Sequence, residues 1–416
     1  MVRTQTSAEA EPAGRWLQLL VLSFAVLVVL GTWFSGTAVA PSLTDEWHID
    51  AVGLATLTVA VQLGFAAAAL LLAVLGIPDV VPARWLILGG GLLAASANAG
   101  FALLSSDLAS ALPFRFLTGA GIAAVYPVAM KVLSGWFRVG RGLAVGTLIG
   151  AITIGSALPH LLRAAGVLLQ ADWQAVVLSA SAGAALGAVA AGALVADGPF
   201  TVPATRFSPA VARAALRERS VLLANVGYLG HMWELFAMWS WIPIFLAASL
   251  AAAGSSDPAL ASLLAFAVVA SGGIGCVVAG TLADRWGRTT LTMAAMAISG
   301  STAIAIGFLF GAWPLLVVAV ALVWGVTVVA DSAQFSTAVS ELAPAGTAGS
   351  ALTIQTAAGF TLTAVTIWGV SLLGPTDATG WRVAFAALAI GPALGILAMW
   401  RLRQRPDAVR MANGNR

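Results

Sequence analysis

Two acids sit inside long apolar sequence. Glu234 lies in Tyr228-Leu229-Gly230-His231-Met232-Trp233-Glu234-Leu235-Phe236-Ala237-Met238-Trp239-Ser240-Trp241, and Asp331 stands beside Ser332 and Gln334. Tyr228, His231, Glu234, Met238 and Trp241 recur at three- and four-residue steps and so share one helix face. A carboxylate in such a setting is costly unless paired or protonated. Glu234 is therefore suited to loading and releasing a proton, with His231 one turn away to share it. A structural ion pair, or a neutral hydrogen-bonded acid, is the competing reading. Asp331 lies toward one end of its apolar run, where an ion pair with Arg285 competes with a place in a binding cavity.

Two cations are placed the same way. Arg115 opens Arg115-Phe116-Leu117-Thr118-Gly119-Ala120-Gly121, and an arginine in hydrocarbon faces a cavity, meets a partner or snorkels outward. Lys131 follows on the same run, about 160° around the helix from Arg115 by α-geometry, and reads as a snorkelling anchor. Tyr126, with Trp33, Phe34 and Trp324, could wall an apolar substrate or simply pack. Gln62, Asn98 and Gln355 fit interhelical hydrogen bonding as well as ligand contact. His48, His160 and His231 fall in unrelated segments and Cys276 is the lone cysteine, so no metal site or cofactor is expected. Lys131, the one lysine, has no Gly-rich loop before it, which excludes ATP hydrolysis by a P-loop.

The elements holding these residues are set by composition. Of 416 residues, 60% are hydrophobic and 9% charged, against roughly 25% charged in ordinary soluble domains. The mean hydropathy of +0.96 excludes a water-facing globule, a disordered chain and a fibre. A bilayer core about 30 Å thick takes roughly 20 apolar residues per helix. Such runs lie near 16–38, 51–76, 85–105, 110–134, 142–166, 174–196, 220–247, 259–283, 290–312, 314–338, 350–373 and 381–401. The expectation is an all-α polytopic membrane protein of twelve spans. It divides into a tail (1–15), a six-helix bundle (16–196), a polar loop (197–219) carrying four arginines, a second six-helix bundle (220–401) and a second tail (402–416). With the N-terminus inside, the arginines of both tails, of 197–219 and of the short loops (Arg84, Arg138, Arg141, Arg285, Arg288) share one side. Only Arg163 and Arg382 fall in loops on the other side. That bias predicts a multi-pass protein of the cell membrane, with both termini cytoplasmic. The basic pI near 9.7 follows from this asymmetry and implies no nucleic acid.

The halves repeat weakly. Asp79 falls on Asp284, Arg84 on Arg288 and Gly121 on Gly325, at offsets of 204 or 205. Parallel repeats of this kind mark carriers that rock two bundles around a midplane site. The segment Gly280-Thr281-Leu282-Ala283-Asp284-Arg285-Trp286-Gly287-Arg288 closes span eight. It resembles the Gly-x-x-x-Asp-Arg-x-Gly-Arg loop of the major facilitator superfamily, which recurs there between spans two and three and between eight and nine. The first copy here keeps Asp79 and Arg84 but is interrupted by Pro78 and Pro82. The resemblance implies a gate, with Asp284 docking on another helix's N-terminus near Gly349-Ser350 at the start of span eleven. It also associates the Arg115-x-x-x-Gly-x-Gly pattern with proton coupling, and places spans one, four, seven and ten around the cavity. Span five carries Gly146, Gly150 and Gly155 but lacks the family's antiporter signature. Together with Trp136-Phe137-x-x-x-Arg141-Gly142, the Arg115 pattern also resembles the branch that moves small anions such as cyanate and nitrate. Nitrate specialists place arginines in spans two and eight, and neither span has one here.

The function these features predict is secondary active transport of a small solute by alternating access, proton-coupled and carried out by a monomer in the lipid bilayer. Efflux of an amphipathic drug-like compound is the alternative, and a transport-inactive receptor the reading from another class. An enzyme is not expected, since no nucleophile or metal constellation is present.

Overall fold

A computed structural model describes residues 12–138, 140–201 and 207–415. Arg3, Arg206 and Arg416, counted above on the inner side, lie outside the described residues. All regular elements among those residues are helical. Eleven helices are long and apolar enough to cross a bilayer, and the broken helix beginning Arg15–Leu30 completes twelve. In the first half, spans two to six are Ala51–Val74, Ala83–Leu104, Leu108–Ser134, Gly142–Leu168 and Trp173–Leu194. In the second, spans seven to twelve are Arg219–Ala252, Pro258–Trp286, Arg288–Phe308, Pro314–Leu342, Ala348–Leu373 and Ala378–Arg403.

Four spans are not continuous, a feature that hydropathy does not report. Span one turns through 31–34 and resumes as Ser35–Ala38 and Ala40–Trp47. Span four stops at Ala123 and restarts at Tyr126, because Pro127 has no N–H to offer the Ala123 carbonyl. Span ten is interrupted at 328–331, and span twelve at Ala389, where Pro392 leaves the Leu388 carbonyl without its donor in the same way. Irregular backbone at membrane depth survives only where protein surrounds it or where it lines a cavity. Spans one, four and ten therefore bring freed carbonyls and unusual side-chain directions to the middle of the molecule.

The ends opposite the arginine-rich loops are capped by acids. Asp50 Oδ1 accepts from Gly53 N at 2.8 Å, Asp107 from Ser110 N at 2.8 Å, Asp257 from Ala259 N at 2.9 Å and Asp377 from Gly380 N at 2.7 Å. Each satisfies an orphan donor at the start of spans two, four, eight and twelve. The Ser110 backbone amide, helped by its hydroxyl, holds the Asp107 carboxyl below the ordinary carboxylate range. These caps lie at the end opposite the arginine-rich loops.

The two bundles repeat one packing pattern. Span two packs on four, three on six and one on five and six, as eight does on ten, nine on twelve and seven on eleven and twelve. Span five joins eight, and span two joins eleven, across the divide. The five–eight contact is close enough that a Cβ on Gly142 would stand 2.9 Å from the Gly280 carbonyl oxygen, and one on Gly146 3.0 Å from that of Cys276. Gly155 belongs to another contact, against Leu27 of span one.

Candidate functional site

A cavity of about 780 Å³ lies between the bundles. Its mouth is formed by Lys131, Gly142, Gly280, Asp284, Arg288, Glu341 and Gly349, at the arginine-rich end. Its walls carry hydroxyls from spans five, ten and eleven: Thr153, Ser156, Ser332, Ser336, Thr337, Thr353 and Thr356. Its closed end is aromatic. Trp33 from the break in span one meets Phe65 (5.2 Å between centroids), Phe236 (5.5 Å) and Phe360 (5.6 Å). Phe65 and Phe360 approach to 4.3 Å, and Phe236 meets Trp239 at 5.2 Å. Rings from spans one, two, seven and eleven thus interlock across both bundles and shut the cavity from the capped side. Tyr126, at the restart of span four, lines the cavity, as does Tyr228, and Tyr126 stacks on Phe65.

The other expected solute contacts lie behind this lining. Arg115 is 1% exposed, so it does not snorkel. Its Nη1 donates to Thr32 O (3.1 Å), Ser35 Oγ (3.0 Å) and Asn98 Oδ1 (2.8 Å), and its Nη2 donates to Trp33 O. Asn98 Nδ2 continues the web to Ser181 Oγ at 3.0 Å. The turn that interrupts span one frees the carbonyls that Arg115 takes up, and all these partners are neutral. The glycines of the same motif serve packing: a Cβ on Gly119 would stand 2.0 Å from Val61 O, and one on Gly121 2.5 Å from Gly90 O.

In the second bundle the acids are separated. Glu234, 2% exposed, accepts from Trp324 Nε1 at 2.7 Å on Oε1 and from Ser299 Oγ at 2.8 Å on Oε2. Among the described residues it has no cation within ion-pair distance. His231 does not pair with it: His231 Nδ1 lies 2.8 Å from Asp331 Oδ1, both side chains almost fully buried, and His231 Nε2 has no partner. Asp331 therefore does not pair with Arg285. It sits at the interruption of span ten, whereas Arg285 is exposed at the end of span eight. Trp241 Nε1 donates to Ile367 O at 3.2 Å, tying span seven to span eleven on the closed side.

At the mouth, Arg288 is the hub. Its Nε and Nη2 grip Glu341 at 2.7 Å each, its Nη1 donates to Gln334 Oε1 at 2.8 Å, and Asp284 Oδ1 is 3.4 Å from Nη2. Gly287 between them has φ 85°, a conformation that favours glycine, which explains that motif position. Asp284 is 62% exposed and faces span five, not the start of span eleven: its Oδ2 lies 3.8 Å from where a Cβ on Gly142 would be. The reason is the pairing of spans five and eight, which aims the end of span eight at the beginning of span five. In the first copy, Asp79 Oδ1 is 2.7 Å from Lys131 Nζ, which also donates to Pro78 O at 2.8 Å. Lys131 thus fastens the loop between spans two and three to span four, beyond the anchoring role its position suggested. Arg84 stacks on Trp85. Glu341 and Ser299, missed in the sequence, carry no local motif. Only charge complementarity to Arg288 pointed to the former, and nothing to the latter.

Helices long and apolar enough to cross a bilayer, packed around a one-sided cavity, define the class: a polytopic membrane protein. A family model described as Major Facilitator Superfamily matches residues 21–366, and the chain belongs to that superfamily. A solved structure titled "Partially occluded inward open conformation of the xylose transporter XylE from E. coli" is similar, with a TM-score of 0.72. The match covers 94% of this chain and 98% of that one at 15% identity, and at that identity it speaks for the fold alone. No curated protein matches the chain by sequence.

Proposed function

We propose that this protein is a proton-driven secondary transporter that moves a small solute across the cytoplasmic membrane by alternating access. Residues 16–196 and 220–401 are the rocking bundles and 197–219 the loop joining them. The observation that carries the proton reading is Glu234, a buried carboxylate in span seven held by two neutral donors and, among the described residues, by no cation. It stands one residue from Leu235, which lines the cavity. Lys131 and Arg288, the cations at the mouth, are both paired with acids, which favours an amphipathic solute over a small anion.

The test uses proteoliposomes on a solid-supported membrane, with an imposed pH gradient and a panel of neutral aromatic carbonyls, aromatic carboxylates, sugars and small inorganic anions. At least one class should give a current that reverses with the gradient, and Asp284→Asn should slow it, since that acid pairs with Arg288 at the mouth where the end of span eight faces span five. A transport current indifferent to the gradient would remove the proton from the reading. The orientation rests on the arginine bias. Reporters fused at Gly198 and after Arg405 should read cytoplasmic, and one at Ala252 external; an external reading at Gly198 would invert the topology.

A further inference from the structure

The cavity's chemistry points to one kind of cargo, and this step rests on the reading of the chain as a carrier whose substrate occupies that cavity. We propose that the substrate is an uncharged, flat, largely apolar molecule bearing a carbonyl or similar acceptor oxygen, bound against the aromatic end by the indole N–H groups of Trp33 and Trp239.

Three observations support this. The first is the orphaned donors. Trp33 and Trp239, 1% and 2% exposed, both line the cavity, yet neither Nε1 has a hydrogen-bond partner among the described residues. Ser156 Oγ, also buried in the lining, is unpartnered as well. A buried donor left unmade is expensive, and an indole can only donate, so the complementary ligand atom is an acceptor. Trp47 and Trp381 also have unpaired indoles, but neither borders the cavity.

The second is the absence of a free charge at depth. Among the described lining residues, the charged groups sit at the mouth, where Lys131 meets Asp79 and Arg288 meets Glu341 and Asp284. Arg115 does not line the cavity and spends its bonds on Thr32, Trp33, Ser35 and Asn98. A charged solute would leave water without an ion to replace it.

The third is the nature of the walls. Recognition of a sugar calls on side chains that bond two hydroxyls at once, and the one lining carboxamide, Gln334, is held by Arg288. The hydroxyls are partly committed too: Thr153 donates to Ile149 O, Thr337 to Ala333 O and Ser336 to Gln355 Oε1. What remains is a set of aromatic rings bordering the cavity, Trp33, Tyr126, Phe236, Trp239 and Phe360, suited to a planar apolar body. The volume of about 780 Å³ falls in the range of small-molecule sites.

The experiment is equilibrium dialysis of the purified full chain in detergent at a single pH, against empty micelles. The probes are coumarin, 2H-chromene (the same bicycle without the carbonyl), coumarin-3-carboxylate and D-xylose. Coumarin should bind more tightly than chromene by about three- to tenfold, the worth of a hydrogen bond. It should also bind more tightly than the carboxylate or the sugar. Trp33→Phe and Trp239→Phe should weaken coumarin while leaving chromene unchanged. Equal binding of coumarin and chromene, or preferential binding of the carboxylate or the sugar, overturns the proposal, and that comparison on the unaltered protein stands even where a variant fails to fold. The assay needs no gradient. Coumarin binding without pH-driven transport would sink the proton reading alone, whereas pH-driven uptake of a sugar or anion without coumarin binding would sink this one alone.

Discussion

Glu234→Gln should abolish accumulation driven by a pH gradient while preserving exchange of the same solute at equal pH. The geometry around the carboxyl explains why the two activities separate. When ionised, Glu234 accepts from Trp324 Nε1 and from Ser299 Oγ. When protonated on Oε2, it can donate to Ser299 Oγ, whose own proton then turns to Met296 O, 3.3 Å away. The serine hydroxyl rotates to suit either state. The site therefore satisfies both forms without moving the backbone, which is what a carrier of a proton needs and a fixed ion pair forbids. Glutamine reproduces the protonated form: its amide oxygen accepts from the indole and its NH₂ donates to Ser299. Bundle movement survives and the exchangeable proton is lost. The measurement is solute uptake into proteoliposomes with and without the gradient, using whichever panel member the unaltered protein accumulates. Undiminished gradient-driven accumulation by Glu234→Gln would leave Glu234 a neutral structural acid.

His231 offers a contrast within the same span. The sequence placed His231 and Glu234 on one face and made them natural partners, but three residues of helix also let neighbouring side chains turn to different spans. Span ten decides the matter. Its interruption at 328–331 presents Asp331 to His231, while the helix before the break presents Trp324 to Glu234. The break arises in Val328-Val329-Ala330-Asp331, a mainly apolar stretch with no proline or glycine that hydropathy reads as continuous helix, so its consequences were not legible. The all-helical fold and the span count were legible, because they depend on composition, which one chain's sequence carries directly. The mouth was half legible. The motif named Asp284, Gly287 and Arg288, but which helix receives Asp284 depends on the pairing of spans five and eight, a tertiary fact. Lys131 shows the same limit: its helical angle excluded a shared face with Arg115, but nothing local announced Asp79 on the neighbouring loop.

Arg115 is where sequence and structure suggest different work, and the two can be told apart. Its pattern resembles one associated with proton coupling, yet its guanidinium is occupied in closing the break of span one, bonded to two backbone carbonyls, Ser35 and Asn98. Arg115→Leu would leave Thr32 O, Trp33 O and Asn98 Oδ1 without this donor in surroundings closed to water. The Ser35 hydroxyl can still donate to Thr32 O or to Asn98 Oδ1 but not to both, so two buried groups go unsatisfied, and at about 1–3 kcal/mol for each the loss is about 2 kcal/mol or more. Arg115→Lys keeps the charge but replaces a planar fork with a single ammonium that cannot reach all four partners, so it should recover only part. The expected result is a lower melting temperature and lower yield of monodisperse protein in the order Leu below Lys below the unaltered chain, with Asn98→Leu sharing the defect. Because Trp33 is held by the same web, the aromatic end of the cavity should loosen with it, weakening solute binding at every pH alike. An Arg115→Leu protein that melted normally but lost only its response to the pH gradient would return Arg115 to the coupling machinery and make the closure of span one incidental.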